Sequence, residues 1–155
     1  GFATLQRTIE HGIAAACAEA MGTMEAMHGL TLDYLKTRKQ FGRAIGEFQV
    51  LQHRAVDMFV ALEQARSMVL LATAALALED ADERARMIHA AKVQVARSAT
   101  HIAEEAVQLH GGIGMTTEYF LGHLVRRATA LAALFGDADH HLRRLAALGG
   151  VYKAA

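Results

Sequence analysis

The 155-residue sequence contains no proline and no tryptophan, a single cysteine (Cys17) and only 6% aromatic side chains. Each shortage excludes something. Average proline usage of about 5% would place roughly eight in a chain of this length, and helix interiors tolerate proline least of all residues. Its absence, alongside 53% hydrophobic residues, excludes a proline-rich or disordered chain and points to an all-α fold. One cysteine cannot build a disulfide framework; it reads as a buried small hydrophobe, or as the thiol of a cytoplasmic, reduced protein. Neither sign of charge is in excess, since sixteen Lys and Arg balance sixteen Asp and Glu. That balance argues against a nucleic-acid partner. No run of about 18 apolar residues is free of charge, so no membrane span is expected. The chain opens at Gly1 and enters helix-like sequence at once, which suggests a piece of a longer protein.

What the sequence does have is helical periodicity. Phe48, Leu51, Ala55, Met58, Leu62, Ala65, Val69, Ala72 and Leu76 follow three- and four-residue steps that keep one seam on one side of a helix. At about 1.5 Å per residue that helix would be roughly 45 Å long. A second seam runs Ile88, Ala91, Val95, Ala99, Ile102, Ala106, Leu109, and a first helix spans about Leu5 to Leu35 through Ile9, Ile13, Ala16, Ala20, Met24 and Met27. Shorter helices are expected around Glu118–Leu134 and Ala138–Leu148. Asp80 or Asp82, Thr116 or Thr117, and Asp137 are the candidate N-caps. Short breaks make neighbours antiparallel. The fold read from this pattern is an up-down antiparallel four-helix-type bundle with a short extra C-terminal helix.

Most chemistry-bearing residues have bland readings. A di-iron bundle needs two Glu-x-x-His pairs, and only Glu25-Ala26-Met27-His28 is present, with His28 read as near a helix end. His140 and His141 are adjacent and point to different parts of a helix surface. Cys17 stands between alanines in an apolar stretch with no cation nearby in sequence, the setting of an inert thiol. No metal site is expected. Two loops are richer. Arg38-Lys39-Gln40-Phe41-Gly42 sets cations beside an aromatic ring, suited either to phosphate oxygens and a flat ring or to a basic helix terminus. Gln108-Leu109-His110-Gly111-Gly112-Ile113-Gly114 either exposes backbone N–H groups to an anion or ends a helix.

Together, these segments resemble a family. Tyr34-Leu-Lys-Thr-Arg38-Lys-Gln-Phe41-Gly42, followed by Ile45-Gly46-Glu47-Phe48-Gln49-x-x-Gln52, is similar to one acyl-CoA dehydrogenase signature. Ala106-Val107-Gln108-Leu109-His110-Gly111-Gly112-Ile113-Gly114 with Thr117-Glu118-Tyr119 is similar to the second. The resemblance covers residues 1–155 as the family's C-terminal helical domain, without the upstream helical and β domains. It implies FAD as cofactor and an acyl-CoA as substrate. FAD takes a hydride from the acyl β-carbon while a glutamate removes the α-proton. It also implies that Arg38, Phe41, Gln49, Gln108, Gly111 and Gly112 contact the FAD of a neighbouring subunit in a homo- or hetero-oligomer, dimer or tetramer. The sequence departs from the family at the base. Phe135 stands at the usual glutamate position, and the alternative place on the first helix falls at or near Gly12. Asp137 and Asp139 stand where the family has a Thr and a Gln facing the subunit's own FAD. The resemblance therefore leaves open a dehydrogenase, a catalytically inactive partner or oligomerisation module, and a related oxidase or flavin monooxygenase.

Overall fold

The long apolar seams become long helices. A computed structural model describes residues 1–116 and 118–151. Helix α1 spans Phe2–Thr37, α2 spans Gln49–Ala75, and α3 spans Ala81–His110. Two shorter helices follow, α4 over Leu121–Ala133 and α5 over Ala138–Ala147. Helix α3 is the axis of the bundle and packs on the other four. All seven of its seam residues, from Ile88 to Leu109, are buried, as are Ala55 to Ala72 of the α2 seam. Met24, Met27, Met58, Ile88, Ile102, Leu121 and Leu131 are sealed from solvent, each contributing about 1.5–3 kcal/mol through its burial. Alanines 65, 72, 91, 99 and 106, all fully buried, let the helices approach closely between these larger side chains. The all-α bundle expected from the sequence is the one found.

Polar links fix the register between helices. Arg84 on α3 donates to Glu10 on α1 at 2.6 Å, with both side chains nearly excluded from water. Arg54 pairs with Glu105 at 2.6 Å and joins α2 to α3, while Arg127 pairs with Glu19 at 2.6 Å and joins α4 to α1. Lys92, only 2% exposed, donates from Nζ to the carbonyls of Leu131 and Ala132. Those carbonyls lie in the last turn of α4, where intrahelical donors run out.

Several details correct the sequence reading. The segment from Arg38 to Gly46 is no simple loop: Lys39–Gln40 (β1) and Arg43–Ala44 (β2) pair as a minimal antiparallel hairpin. Helix α4 begins at Leu121, because the Thr116 hydroxyl donates back to the Ile113 carbonyl and caps nothing downstream. Thr117, the other candidate cap, lies outside the described residues. Asp80 caps α3, and Asp137 caps α5 through His140 N–H at 2.8 Å. Ile9 and Leu142 are more than 40% exposed and leave their seams. His28 lies well inside α1, half-buried, near the Ala55 carbonyl. Helix α2 also reaches the length and mean hydropathy of a membrane span, against the expectation that no segment would. Its buried seam packs on α1 and α3, and Arg54 and Arg66 bind carboxylates of those helices.

Candidate functional site

The first candidate loop is built by the end of α1. The C-cap residue Arg38 turns into extended backbone and its carbonyl accepts from Ile45 N–H at 2.9 Å, closing the hairpin at its base. Phe41 and Gly42 form the tip, with φ of 55° and 80°. A two-residue hairpin of the I′ type demands positive φ at both positions. Glycine adopts that freely, whereas Phe41 is held there against its own preference. The ring gains little cover in return, being 89% exposed and edge-on to Phe48 at 6.1 Å. Arg43 lies over the Phe48 ring at 4.1 Å. Gly46 fits beneath α1 because a Cβ there would come within 2.9 Å of the Leu35 carbonyl. Gln49 is exposed at the first position of α2, and Gln52 is spent on the Gly46 carbonyl at 2.8 Å.

The second loop ends α3. Gly111 caps the helix at φ 62°, and a short 3₁₀ turn over Gly111–Met115 follows. Gly111 and Gly112 face open space, whereas Gly114 is buried against Val107 and His110. Gln108 is exposed on the last turn.

Helices α1 and α3 run the same way, and Tyr34 and His110, one from each signature segment, bring their ends together. Tyr34 stacks on His110 with ring centroids 4.6 Å apart. His110 Nδ1 donates to the Ala106 carbonyl at 2.8 Å, and Tyr119 Oη lies 3.4 Å from Nε2. Burial holds the His110 imidazole below its ordinary pKa. The hairpin tip at Phe41 with the flanking Arg38 and Gln49, and the end of α3 at Gln108 with the following Gly111 and Gly112, therefore share one end of the bundle. No ion pair engages Arg38 among the described residues.

A second constellation lies at the other end. Phe135 occupies positive φ (62°) between α4 and α5, and its ring tip sits over Gly12, where an added Cβ would be 2.7 Å away. Asp137 is committed to capping α5, which holds its carboxyl below the usual range. It also lines, with Asp139, Glu104, Arg97 and His101, an open groove of about 500 Å³ among α3, α4 and α5.

The sequence profile described as "Acyl-CoA dehydrogenase, C-terminal domain" matches residues 1–149. The chain belongs to the acyl-CoA dehydrogenase family. It is 38% identical over 130 residues to acyl-CoA dehydrogenase IpdE2 of Mycobacterium tuberculosis, covering 83% of this chain and 38% of that protein. Among solved structures it is similar to a variant of the Tcur3481-Tcur3483 steroid ACAD, with TM-score 0.90, 28% identity, and coverage of 96% of this chain and 40% of that one. The ChsE4-ChsE5 complex from M. tuberculosis gives TM-score 0.82 and 25% identity over 94% of this chain and 39% of that one. The chain thus spans about two fifths of the length of these relatives.

Acyl-CoA dehydrogenase family membership gives the Phe135–Gly12 contact its meaning. The two positions to which the resemblance assigns a base touch each other here, and neither is a carboxylate. The neighbouring carboxylate, Glu10, is locked to Arg84 at 2.6 Å. Cys17 is no substitute nucleophile: burial pushes its thiol up to about 11, although buried Lys92, a cation the sequence reading had not placed near it, pulls the other way. Among the described residues no group of three His, Cys, Asp or Glu is arranged to hold a metal.

Proposed function

We propose that this chain is the C-terminal helical part of an FAD-dependent acyl-CoA dehydrogenase assembly, in which it completes the FAD site of a neighbouring subunit without supplying a catalytic glutamate. The observation that carries the reading is the shared end of the bundle. Signature residues 59 to 74 positions apart in sequence are brought together there by the Tyr34–His110 stack. The donor set suits the cofactor. Arg38, in no ion pair among the described residues, offers a guanidinium fork to a pyrophosphate, Phe41 offers an exposed ring to an apolar edge, and the open face at Gly111 and Gly112 admits close approach. Gln49 and Gln108 are exposed amides beside them. Bound FAD supplies the acceptor for a hydride from an acyl-CoA β-carbon. This chain's residues bind and orient that group, and Phe135 bars the α-proton-abstracting position of its own half.

Asp137 and Asp139, which stand where the resemblance puts a Thr and a Gln facing the subunit's own FAD, favour a partner's FAD over one held by this chain, although Arg97 and His101 line the same groove. A partner subunit also suits the outward side of α2, where Val56, Phe59 and Val60 are each about half exposed. Two related solved structures bear the names of two-protein assemblies, Tcur3481-Tcur3483 and ChsE4-ChsE5. We place the assembly in the cytoplasm, where a lone buried thiol stays reduced. The test is to co-purify the complete protein with the products of neighbouring genes and to measure FAD per chain. Less than one FAD per chain, with activity only in the mixed complex, is the expected result. A full complement of FAD and dehydrogenation by this protein alone would overturn it.

A further inference from the structure

Helix α5 has a slender attachment to the bundle. Of its ten residues only His141 and Leu145 are buried, whereas seventeen residues of α3 are. His141 Nδ1 lies 2.7 Å from Nδ1 of His89 on α3, and its Nε2 lies 3.1 Å from the Phe135 carbonyl. The turn before α5 packs onto the same region. Gly136 has φ of 107°, and a Cβ there would come within 2.6 Å of the His140 ring and 3.2 Å of His141 Nε2. A carbonyl oxygen only accepts, so His141 donates from Nε2 and presents a lone pair at Nδ1. His89 must then donate from Nδ1. One proton fits between the two rings. A first added proton goes to His89 Nε2 and leaves that contact in place. A second has only His141 Nδ1 to take, where the His89 N–H already points, and two N–H groups cannot face each other at hydrogen-bond distance.

We infer that the His89–His141 contact is an acid-released latch: when both imidazoles are charged, α5 and the Phe135 turn come away from α3 while the three long helices stay packed. The turn is loaded for release, since Phe135 sits at positive φ against its preference, and its departure uncovers Gly12. The charges around the pair are few. Glu10 of α1 faces His89 but is paired with Arg84, Lys92 of α3 faces His141, and on α5 His140 faces both rings and Arg144 faces His89. Residues 128–136, which end α4 and lead into α5, carry no ionisable side chain. Desolvation first, then Arg144 and His140, holds His89 at about 4 against the pull of Glu10. Desolvation first, then His89, holds His141 at about 4 as well. The latch is therefore closed at neutral pH. The inference makes no use of the flavin reading, so either can fail alone.

Hydrogen exchange of the complete protein, read by mass spectrometry from about pH 7 to about pH 3.5 and corrected for intrinsic exchange rates, tests the latch. Residues 138–147 should lose at least about tenfold in protection and exchange as exposed backbone at the acid end, while residues 49–75 of α2 stay protected at least about a hundredfold. His89→Asn offers His141 a partner in either charge state, because an amide can present N–H or C=O, and should keep α5 protected throughout. Because that variant disturbs a buried contact, His140→Gln provides a second check. It removes a basic neighbour from an exposed side chain and should move the release to higher pH. Loss of protection in α2 and α5 together, release unchanged by His89→Asn, or no upward shift with His140→Gln would overturn the inference.

Discussion

At the scale of single residues, the side chains of Arg38 and Phe41 are conspicuous because the fold makes little use of them. A guanidinium with no ion pair among the described residues and a ring 89% exposed at positive φ contribute little to stability. Arg38→Ala is therefore expected to change unfolding free energy by less than about 0.5 kcal/mol while weakening FAD retention, read by chemical denaturation and by flavin absorbance of the assembled protein. Phe135 and Gly12 are the opposite case, two residues bound to each other's shape. Gly12→Ala gains about 1 kcal/mol of helix propensity where space allows, but the Phe135 ring tip lies 2.7 Å from the new methyl. The gain should appear in a Phe135→Ala background and be offset in the wild type, a coupling that a double-mutant cycle in thermal unfolding measures. The signature residues were legible in the sequence because their chemistry is local. The Phe135–Gly12 contact was not, since it joins residues 123 positions apart and only packing reports it. Lys92 escaped for the same reason, and so did the stacking of Tyr34 on His110, two residues within the signatures: a side chain on a helix carries no local sign of what it meets.

At the scale of elements, helices read well from apolar steps, and their ends read well where a side chain caps them. Asp80 and Asp137 do so, and α3 and α5 begin where those residues predict. Helix α4 has no side-chain cap, and its start was misplaced by three residues. The two-residue strands of the hairpin are set by turn geometry at Phe41-Gly42, too short a stretch to show alternation. The C-terminus of α4 depends on Lys92. Lys92→Met would leave the Leu131 and Ala132 carbonyls without their donor and is expected to cost about 1–3 kcal/mol, seen as a lowered denaturant midpoint. Helix α5 depends on neutral imidazoles. His89 and His141 titrate at about 4 in the folded chain against about 6.5 when unfolded, so the unfolded state binds protons first as pH falls. Their contribution is complete above about pH 6.5, declines between 6.5 and 4, and changes no further below that. Glu19 and Glu105, held low mainly by hydrogen bonds from Arg127 and Arg54, lose their contribution only at more acid pH. Denaturant midpoints between pH 7.5 and 4 should show the histidine-linked decline, and His89→Gln should shrink it.

At the scale of the whole molecule, the absence of proline marks a chain made almost entirely of bundle helices. Its chemistry is gathered at the two ends and its helices supply the spacing. One end presents a cation outside any ion pair among the described residues, an exposed ring and open glycines. The other holds Phe135 where a base is expected and a neutral histidine pair beside it. That division fits a subunit that gives residues to another's cofactor. The most direct measurement is FAD content of the mixed complex in which only this chain carries Arg38→Ala. The account predicts that the complex assembles with normal stoichiometry and loses most of its FAD, although the substituted chain holds none itself. Full FAD retention in an intact complex would contradict it.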